Sequence, residues 1–460
     1  MADLGDSLDA RISFGCPVGV QAILRAAWRH DVDALKPLLD APGKASCRDP
    51  ETRETPLHAA VRSLGTKNDQ ADEKSPMELA ALKTIEKLLL GGAIWNDVDD
   101  NNETPGCVAW RLKQKGVYAE MVRAGARAEM LLAILDGYEE LDSDGDEADD
   151  DDAEMSEAGA TVEIEGDAEE PSSHEATTAS VDTTETPTDT PYLESRLTLA
   201  DGKLVDAAGN GVMMDWETDI MRRSVDAMLG PAGAPLAKDK RVLNIGFGLG
   251  IIDSMIAERK PARHHIIEAH PEVLMRIDTA SKDPEAAGND HAAEFGVAWE
   301  ASGESEGNEG AYKVHRGRWQ DLCPKLLADG ELYDAIYFDT FGEDYSELRR
   351  FFTDFIPGLL DDSGVFGFFN GLGADRRVCY DVYTRVVEMH LSEAGLEVAW
   401  QDVEVPLVKD GLDTPGAGAW EGILRPYWTL DSLFLFPINI YTANFTDNAE
   451  YRLPICTFMG

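Results

Sequence analysis

Three glycines and one carboxylate in this 460-residue chain have the types and spacing of a ligand site. Gly246, Gly248 and Gly250 stand at alternate positions directly after the apolar run 242–245. Glycines placed in this way let the backbone turn tightly and approach a nucleotide-like ligand without clashes from Cβ atoms. Glu268 follows about 20 residues later, where a carboxylate can accept hydrogen bonds from both ribose hydroxyls. The pattern predicts a site for a nucleotide-like cofactor.

Two cofactors fit these residues, a nicotinamide dinucleotide and S-adenosylmethionine. The glycine spacing is GxGxG and not the GxGxxG of dinucleotide sites, and a separate entry segment precedes the nucleotide half. The fourth predicted strand also ends in a carboxylate, Asp339, which would face a ligand at the carboxyl edge of a parallel sheet. These features favour S-adenosylmethionine, and hence a methyltransferase, over a dehydrogenase.

A second dense stretch surrounds Glu217. A turn-rich Gly-Asn-Gly at 209–211 leads into a run, 212–217, that combines two methionines, a tryptophan and Glu217 before a helix. Taken alone, Glu217 is equally well explained as a carboxylate at a helix start, where the helix dipole favours negative charge.

The elements that must position these residues alternate between strands and helices from residue 190 onward. Strands are predicted at 241–246, 264–269, 312–316, 333–339, 364–370, 396–405 and 433–441. Such alternation implies a mostly parallel sheet covered by helices on both faces. The predicted fold class is α/β, a Rossmann-like class I methyltransferase domain with a seven-stranded, mostly parallel sheet.

Residues 18 to about 135 have a helical pattern that repeats. The segment 55–60, TPLHAA, matches the TPLHxA signature of ankyrin repeats, and 104–109 is a degenerate echo of it. Two similar helix ends, at Gly92 and Gly125, are 33 residues apart, which is the ankyrin period. We expect an all-α ankyrin-like module that binds protein, with His58 bonded locally within its turn.

An acidic stretch separates the two parts. It is rich in Asp, Glu, Ser, Thr and Ala and nearly free of aromatic residues, so it cannot bury enough apolar surface to offset chain entropy. Three regions are therefore predicted: an ankyrin-like helical module at 1–136, an acidic disordered linker at 137–188, and an S-adenosylmethionine-dependent methyltransferase domain at 189–460.

The formal net charge of −46 would repel nucleic acid and anionic membranes. A basic protein partner is favoured instead, a ribosomal protein among the candidates, although much of the acid lies at 139–170, which is typical of a solvated linker. No run is apolar enough to span a bilayer, and no signal peptide is recognisable. The six cysteines are scattered, so no metal site is predicted. We expect a protein of the cytoplasm and nucleus.

Five short motifs resemble guanidinoacetate methyltransferase, in the same order along the chain. They are VMMDWE at 212–217, GFG at 246–248, IIE at 266–268, RWQD at 318–321 and DT at 339–340. With the repeats and the acidic stretch in front, the whole chain resembles the fungal arginine N-methyltransferase 2 family, closely over 190–460 and loosely before. The resemblance implies methylation of the internal δ-nitrogen of arginine in a protein. The alternative substrate is a small guanidino compound such as guanidinoacetate.

The resemblance also implies which residues form the site. Glu217 and Asp339 would be catalytic. The cofactor would be held by the following residues: Tyr192, Met221, Phe247, Gly248, Leu249, Gly250, Ile251, Ile252, Glu268, Ala269, His270, Trp319, Gln320 and Asp339. Because the guanidinium stays protonated, its nitrogens are poor nucleophiles. We hypothesise that two carboxylates grip the terminal nitrogens and leave the internal one aimed at the methyl group, with Asp339 as proton acceptor.

One departure from guanidinoacetate methyltransferase follows the fifth strand. That family has Asn-Leu-Thr-Ser there, which helps to hold the substrate's carboxylate, whereas this chain has Asn-Gly-Leu-Gly at 370–373. The change favours a polypeptide substrate, which has no free carboxylate at that distance. Glu343 and Asp344 are either acids that recognise basic sequence or solvated loop acids. A final alternative is an ankyrin-type adaptor with an idle catalytic domain.

Overall fold

The computed structural model of the protein describes residues 6–67, 75–143, 192–231, 238–287, 290–304, 308–405, 420, 422–424, 427–428, 430 and 450–460. Residues 144–188 of the predicted linker (137–188) and the predicted strand at 433–441 lie outside these residues. In the described part, no helix is long and apolar enough to cross a membrane. The same residues contain no group of three or more His, Cys, Asp and Glu side chains that could hold a metal ion.

The N-terminal part is helical. Its helices are α1 (Leu8–Arg11), α2 (Val18–Trp28), α3 (Val32–Leu38), α4 (Pro56–Arg62), α5 (Pro76–Leu90), α6 (Pro105–Arg111) and α7 (Lys115–Ser143). We refer to α1–α7 as the helical module. Helix α7 continues past the predicted boundary at 136 and through Gly137, although glycine disfavours a helix interior.

Threonine–proline turns start two of these helices. Thr55 and Thr104 cap α4 and α6 by accepting hydrogen bonds from the backbone amides three residues on. His58 is fully buried, with Nδ1 2.8 Å from the Thr55 hydroxyl and Nε2 2.8 Å from the Glu103 carbonyl oxygen. The histidine therefore ties one turn to the next, as the local structural role predicted for it requires.

A small antiparallel sheet, which the sequence pattern did not predict, opens the second part. Its strands are β1 (Thr198–Ala200), β2 (Lys203–Val205) and β3 (Gly211–Met214). A 3₁₀ turn (Asp215–Glu217) connects β3 to helix α8 (Thr218–Leu229). The sheet carries the chain directly to Glu217.

Strands and helices then alternate. They are β4 (Arg241–Ile245), α9 (Ile251–Glu258), β5 (Arg263–Glu268), α10 (Pro271–Ala280), α11 (Pro284–Ala287), α12 (Val297–Gly303), β6 (Tyr312–Arg316), α13 (Trp319–Ala328), β7 (Tyr333–Phe338), α14 (Tyr345–Arg350), α15 (Ile356–Leu359), β8 (Leu360–Phe368), α16 (Arg377–Glu393), β9 (Leu396–Glu404) and β10 (Glu450–Phe458). A 3₁₀ turn (His291–Glu294) and a π-helical turn (Phe351–Phe355) interrupt this alternation.

The large sheet has seven strands within the described residues, in the order β6-β5-β4-β7-β8-β10-β9. Strands β4 to β8 pair in parallel, and β10 lies antiparallel between β8 and β9. The prediction of a seven-stranded, mostly parallel sheet is confirmed. Strand β10 was not predicted; it contains Pro454, which argues against a central strand when only the sequence is read.

The order of the strands reverses at β4, which has β5 on one side and β7 on the other. A crevice forms at the carboxyl edge of a parallel sheet at such a point, because the loops leave in opposite directions. Gly246 follows β4, Glu268 ends β5 and Asp339 follows β7. The fold therefore brings all three to one crevice.

The helical module packs directly on α16 of the second part. Val378, Val382 and Val386 of α16 belong to the same buried apolar core as the module's own helices. Gly106 of α6 and Gly125 of α7 face this helix so closely that a Cβ atom on either would lie 2.5 and 2.6 Å from Val378 and Val382, respectively. The two parts thus share a close-packed contact.

Candidate active site

The glycine loop between β4 and α9 forms one wall of the crevice. Gly246, Gly248 and Gly250 have φ angles of +94°, +53° and +80°, in the left-handed region that favours glycine. The backbone amides of Phe247 and Gly248 donate to Glu268 Oε2 at 2.9 and 3.4 Å. The loop and the predicted ribose-binding acid are therefore held together.

A cavity of about 630 Å³ lies beside this loop. Seven of the predicted cofactor residues line it: Tyr192, Gly248, Glu268, Ala269, Trp319, Gln320 and Asp339. Residues that the sequence reasoning did not assign to the cofactor also line it, among them Val212, Met213, Thr340, Phe341 and Glu343. We call this space the cofactor cavity.

The other seven predicted cofactor residues do not line the cavity. They are Met221, Phe247, Leu249, Gly250, Ile251, Ile252 and His270. Met221 is fully buried on α8, and the side chains of Phe247 and Ile252 enter apolar cores on either side of the loop, so these residues support the cavity wall and do not form it. A family motif could not separate these two roles, because both sets of residues lie in the same segments.

Aromatic rings cover part of the cofactor cavity. The ring centroid of Tyr192 lies 4.9 Å from that of Phe341 and 4.9 Å from that of His270. His270 Nε2 also lies 3.1 Å from the Tyr192 carbonyl oxygen. The entry segment that precedes the small sheet is thereby fixed across the crevice.

Glu343 lies between the helix start at Trp319 and the loop after β7. It accepts hydrogen bonds from Trp319 Nε1 at 2.8 Å, from Gln320 Nε2 at 2.8 Å and from the Thr340 hydroxyl. These contacts hold Glu343 in the wall of the cofactor cavity, and recognition of basic sequence by Glu343 or Asp344 stays a prediction. Asp344 caps α14 by accepting from the Ser346 amide at 2.9 Å.

A second cavity, of about 880 Å³, adjoins the first. It contains both predicted catalytic acids, Glu217 and Asp339, and the two cavities share the following residues: Val212, Asp339, Thr340, Phe341 and Glu343. Phe369, Gly371, Leu372 and Tyr427 complete much of the wall on the far side. We call this space the substrate cavity, and Asp339 lies where the two cavities meet.

Glu217 is held by its neighbours. It is 2% exposed, and its Oε1 accepts hydrogen bonds from the Met214 amide at 2.8 Å and from the Tyr427 hydroxyl. Both of these donors engage one oxygen, and Oε2 accepts no hydrogen bond from the part of the chain that the structure describes. The 3₁₀ turn after β3 makes this possible, since it directs the side chain back over its own strand. Sequence reasoning missed Tyr427, which lies far from the recognised motifs.

Burial changes the acidity of both carboxyl groups. It raises the pKa of Asp339 to about 7. Burial, together with the nearby Asp339 carboxylate, raises the pKa of Glu217 well above its ordinary value, although Tyr427 and Met214 oppose the shift by donating to the ionised form. Asp339 Oδ2 has no hydrogen-bond partner among the described residues. The pair is poised to receive a cation with several N–H donors.

The cofactor cavity fits S-adenosylmethionine. The left-handed glycines bring the backbone close to a nucleoside without Cβ atoms in the way, and the buried Glu268 carboxylate can accept from ribose hydroxyls. Trp319, Tyr192 and Phe341 offer aromatic surface to an adenine ring and, by cation–π attraction, to a sulfonium. Strand order, glycine loop and adjoining cavities together define a Rossmann-like, S-adenosylmethionine-dependent methyltransferase.

Comparison with known proteins narrows this class. Residues 194–287 match the model of the guanidinoacetate N-methyltransferase family. The chain is 51% identical to protein arginine N-methyltransferase 2 of Neurospora crassa, over all of both chains. It is 52% identical to protein arginine N-methyltransferase 2 of Gibberella zeae, over 93% of this chain and 94% of that one. The chain belongs to the protein arginine N-methyltransferase 2 family.

Among solved structures, an O-methyltransferase from Bacillus cereus in complex with SAH aligns with 54% of this chain and 82% of its own. The identity is 11% and the TM-score is 0.30. The fold assignment therefore rests on the strand order and not on this alignment.

Proposed function

We propose that the protein transfers a methyl group from S-adenosylmethionine to the internal, δ-nitrogen of an arginine in a protein substrate. The observation that carries the proposal is the pair of acids Glu217 and Asp339 in a cavity that opens into the cofactor cavity. A guanidinium is the cation that such a pair suits, because it is planar and presents several N–H donors at once.

The two acids act first in binding. A guanidinium that enters the substrate cavity favours the ionised form of both carboxyl groups and so offsets the penalty of burying them. Glu217 Oε2 and the Asp339 carboxylate oxygens accept no hydrogen bond from the described residues. They are placed to accept from the two terminal nitrogens. With those nitrogens engaged, the internal nitrogen is the one left facing the cofactor cavity.

The chemical step then needs little more than alignment and removal of one proton. S-adenosylmethionine supplies, when bound, an electrophilic methyl group on a sulfonium. Asp339 stands at the junction of the cavities and accepts the proton that the internal nitrogen loses as its bond to carbon forms. Holding the two reactants in line accounts for much of the rate of such displacements.

The far wall of the substrate cavity supports a polypeptide substrate. Leu372, which lines it, and the next residue, Gly373, stand where the Asn-Leu-Thr-Ser run of guanidinoacetate methyltransferase has side-chain hydroxyls. A free carboxylate therefore lacks these donors, which disfavours a small guanidino acid as the substrate. The absence of a side chain at Gly371 leaves room for a chain that continues beyond the arginine.

We further propose that the helical module is ankyrin-like and binds protein. Its support is the repeated Thr-Pro capped turn at Thr55 and Thr104 and the link from His58 to Glu103. A basic substrate such as a ribosomal protein suits the charge of −46, and the cytoplasm and nucleus suit such a substrate.

The test is to incubate cell extract with labelled S-adenosylmethionine and the purified protein, hydrolyse the labelled protein to amino acids and identify the methylarginine isomer. We expect label on the δ-nitrogen, and far less of it when Glu217→Gln replaces the wild type. Exclusively terminal methylation would overturn the δ-nitrogen assignment. Preferential labelling of added guanidinoacetate over a basic protein would establish the small-molecule alternative.

A further inference from the structure

The wall of the substrate cavity is connected to the helical module by a continuous set of polar contacts. The wall residues Gly371 and Leu372 follow Asn370, which is fully buried. Asn370 Nδ2 donates to the Tyr380 hydroxyl at 3.1 Å and to the Arg452 carbonyl oxygen at 3.2 Å. The position of the wall therefore depends on residues of α16 and β10.

Tyr380 and Arg452 are also bound to each other. The backbone amide of Arg452 donates to the Tyr380 hydroxyl at 2.8 Å, and the Arg452 guanidinium lies 5.7 Å from the centre of the Tyr380 ring. That guanidinium also forms an ion pair with Asp381 at 2.8 Å. Asp381, which lies on α16, is therefore the acid at the end of this series of contacts.

The helical module supplies the last contact. The hydroxyl of Tyr118, a buried residue of α7, donates to Asp381 Oδ2. Asp381 Oδ1 faces Arg452, and also Arg377 at 3.5 Å. The two carboxylate oxygens therefore have different partners. Tyr118 therefore fixes the orientation of the carboxylate that holds Arg452.

Close packing makes this contact rigid. Gly125 lies two helical turns after Tyr118 on α7. Its backbone rests against Val382, the residue next to Asp381. A side chain at Gly125 would push α16 away. The glycine lets the helices approach closely enough for the Tyr118 hydroxyl to reach its acceptor.

We propose that Tyr118 is a positioning residue for methyl transfer: through Asp381 and Arg452 it fixes Asn370 and the substrate-side wall of the active site. The helical module is then a part of the catalytic scaffold as well as a binding module. This inference rests on the proposed function, because it concerns how the arginine substrate is held.

The test compares two tyrosine-to-phenylalanine variants at one interface. Tyr118→Phe removes the hydroxyl that holds Asp381. Tyr383→Phe is the matched control, since its hydroxyl also crosses the interface, to Glu129 at 3.2 Å, but does not contact Asp381, Arg452 or Asn370. We expect Tyr118→Phe to lower kcat/KM for the arginine substrate by about 3- to 10-fold, mainly by raising KM. The Kd for S-adenosylmethionine should stay within about twofold of wild type, and Tyr383→Phe should match wild type throughout.

A double variant shows whether the effect passes through Asp381. If it does, Asp381→Ala alone causes a comparable loss, and Tyr118→Phe adds nothing in that background. Unchanged kcat/KM in Tyr118→Phe, an equal loss in Tyr383→Phe, or additive losses in the double variant would each overturn the inference. If circular dichroism shows Tyr118→Phe to be unfolded, the kcat/KM of Asp381→Ala is compared with that of Tyr383→Phe, and the same criteria apply. If the wild-type protein labels no arginine, the proposed function is overturned as well. If the wild type labels arginine and Tyr118→Phe labels it equally well, only the present inference is overturned.

Discussion

Gly246 and Asp339 touch through their backbones: a Cβ atom built on Gly246 would lie 1.9 Å from the Asp339 carbonyl oxygen. The Asp339 amide in turn donates to the carbonyl oxygen of Ile245 at 2.8 Å. The first residue of the glycine loop therefore sets the position of the acid at the junction of the two cavities. Cofactor binding and proton acceptance depend on the same pair of strand ends.

Gly246→Ala should weaken cofactor binding strongly. The added methyl group cannot fit against Asp339, and the φ angle of +94° is strained for any other residue. We expect the Kd for S-adenosylmethionine, measured by calorimetry, to rise by about 100-fold or more, as expected for the loss of roughly 3 kcal/mol of binding free energy. Gly330→Ala is the control, because Gly330 also has a positive φ (+73°) but open space around its Cβ position. Gly246→Ala protein that binds the cofactor normally would contradict this account of the loop.

Glu217→Gln should separate binding of the cofactor from turnover. Glutamine keeps the shape of the side chain and can still accept from Met214 and Tyr427, but it cannot neutralise a guanidinium. We expect kcat to fall by about 10²- to 10³-fold, with little change in the Kd for S-adenosylmethionine. Asp215→Asn, two residues earlier and exposed, should behave as wild type. Substantial turnover by Glu217→Gln would rule out the two-carboxylate grip.

The pH dependence of kcat/KM should show a loss of activity on the acidic side. Burial raises the pKa of Asp339 to about 7, and that of Glu217 is raised further by Asp339. Below these values the free enzyme holds the acids protonated and neutral, so they cannot grip a cation, and kcat/KM should rise as the pH rises through 7 and beyond. Asp339→Asn removes one of the charges. As the pH is raised, the residual activity of that variant should therefore begin to rise at a lower pH than that of the wild type. The reason is that the pKa of Glu217 falls when its repelling neighbour is removed.

Replacing a buried charge should stabilise the protein when no ligand is present. The pKa of Glu217 is raised in the folded state, so its contribution to stability is fully present below the ordinary glutamate pKa and is lost as the pH rises toward the raised value. Glu217→Gln does not show that loss, because glutamine does not ionise. We expect the variant to be more stable than wild type by about 1–2 kcal/mol at pH 8, with the advantage shrinking toward pH 4. Thermal unfolding at several pH values measures it, and a variant less stable at pH 8 would show that the carboxylate has a compensating partner.

Tyr427→Phe should weaken the hold on Glu217. The hydroxyl donates to the same oxygen as the Met214 amide and favours the ionised carboxylate. Its loss should lower kcat/KM by about 10-fold, as for a hydrogen bond to a charged group. It should also shift the acidic limb of the pH profile upward, because the pKa of Glu217 rises further. An unshifted limb with reduced activity would indicate that Tyr427 contributes only shape to the cavity.

Much of the fold could be predicted from the sequence, because the signals were local. The first six predicted strands lie within a few residues of β4 to β9, where apolar runs end in glycine or acid. The pairing of β10 between β8 and β9 could not be predicted, since it depends on contacts over long separations and includes a proline. The small sheet before Glu217 was missed for a different reason: its strands have only three or four residues.

The site divides in a similar way. Glu217, Glu268 and Asp339 were identified because a family motif and a strand end coincide at or near each of them. The motif could not show that Met221 and Phe247 face the core, or that Met213 lines the cavity, because neighbouring residues on one segment point in opposite directions. Tyr427 and Tyr118 lay outside every motif. Their roles depend on partners about 210 and 263 residues away along the chain.

The contact of Gly106 and Gly125 with α16 has a consequence for how the chain unfolds. A helix that contributes Val378, Val382 and Val386 to the core of its neighbour cannot lose that neighbour without exposing an apolar stripe to water. The catalytic half taken alone would therefore present a surface that chaperones recognise and that promotes aggregation. Heat should melt both halves in a single cooperative transition, and the acidic stretch between them then joins two parts of one thermodynamic unit.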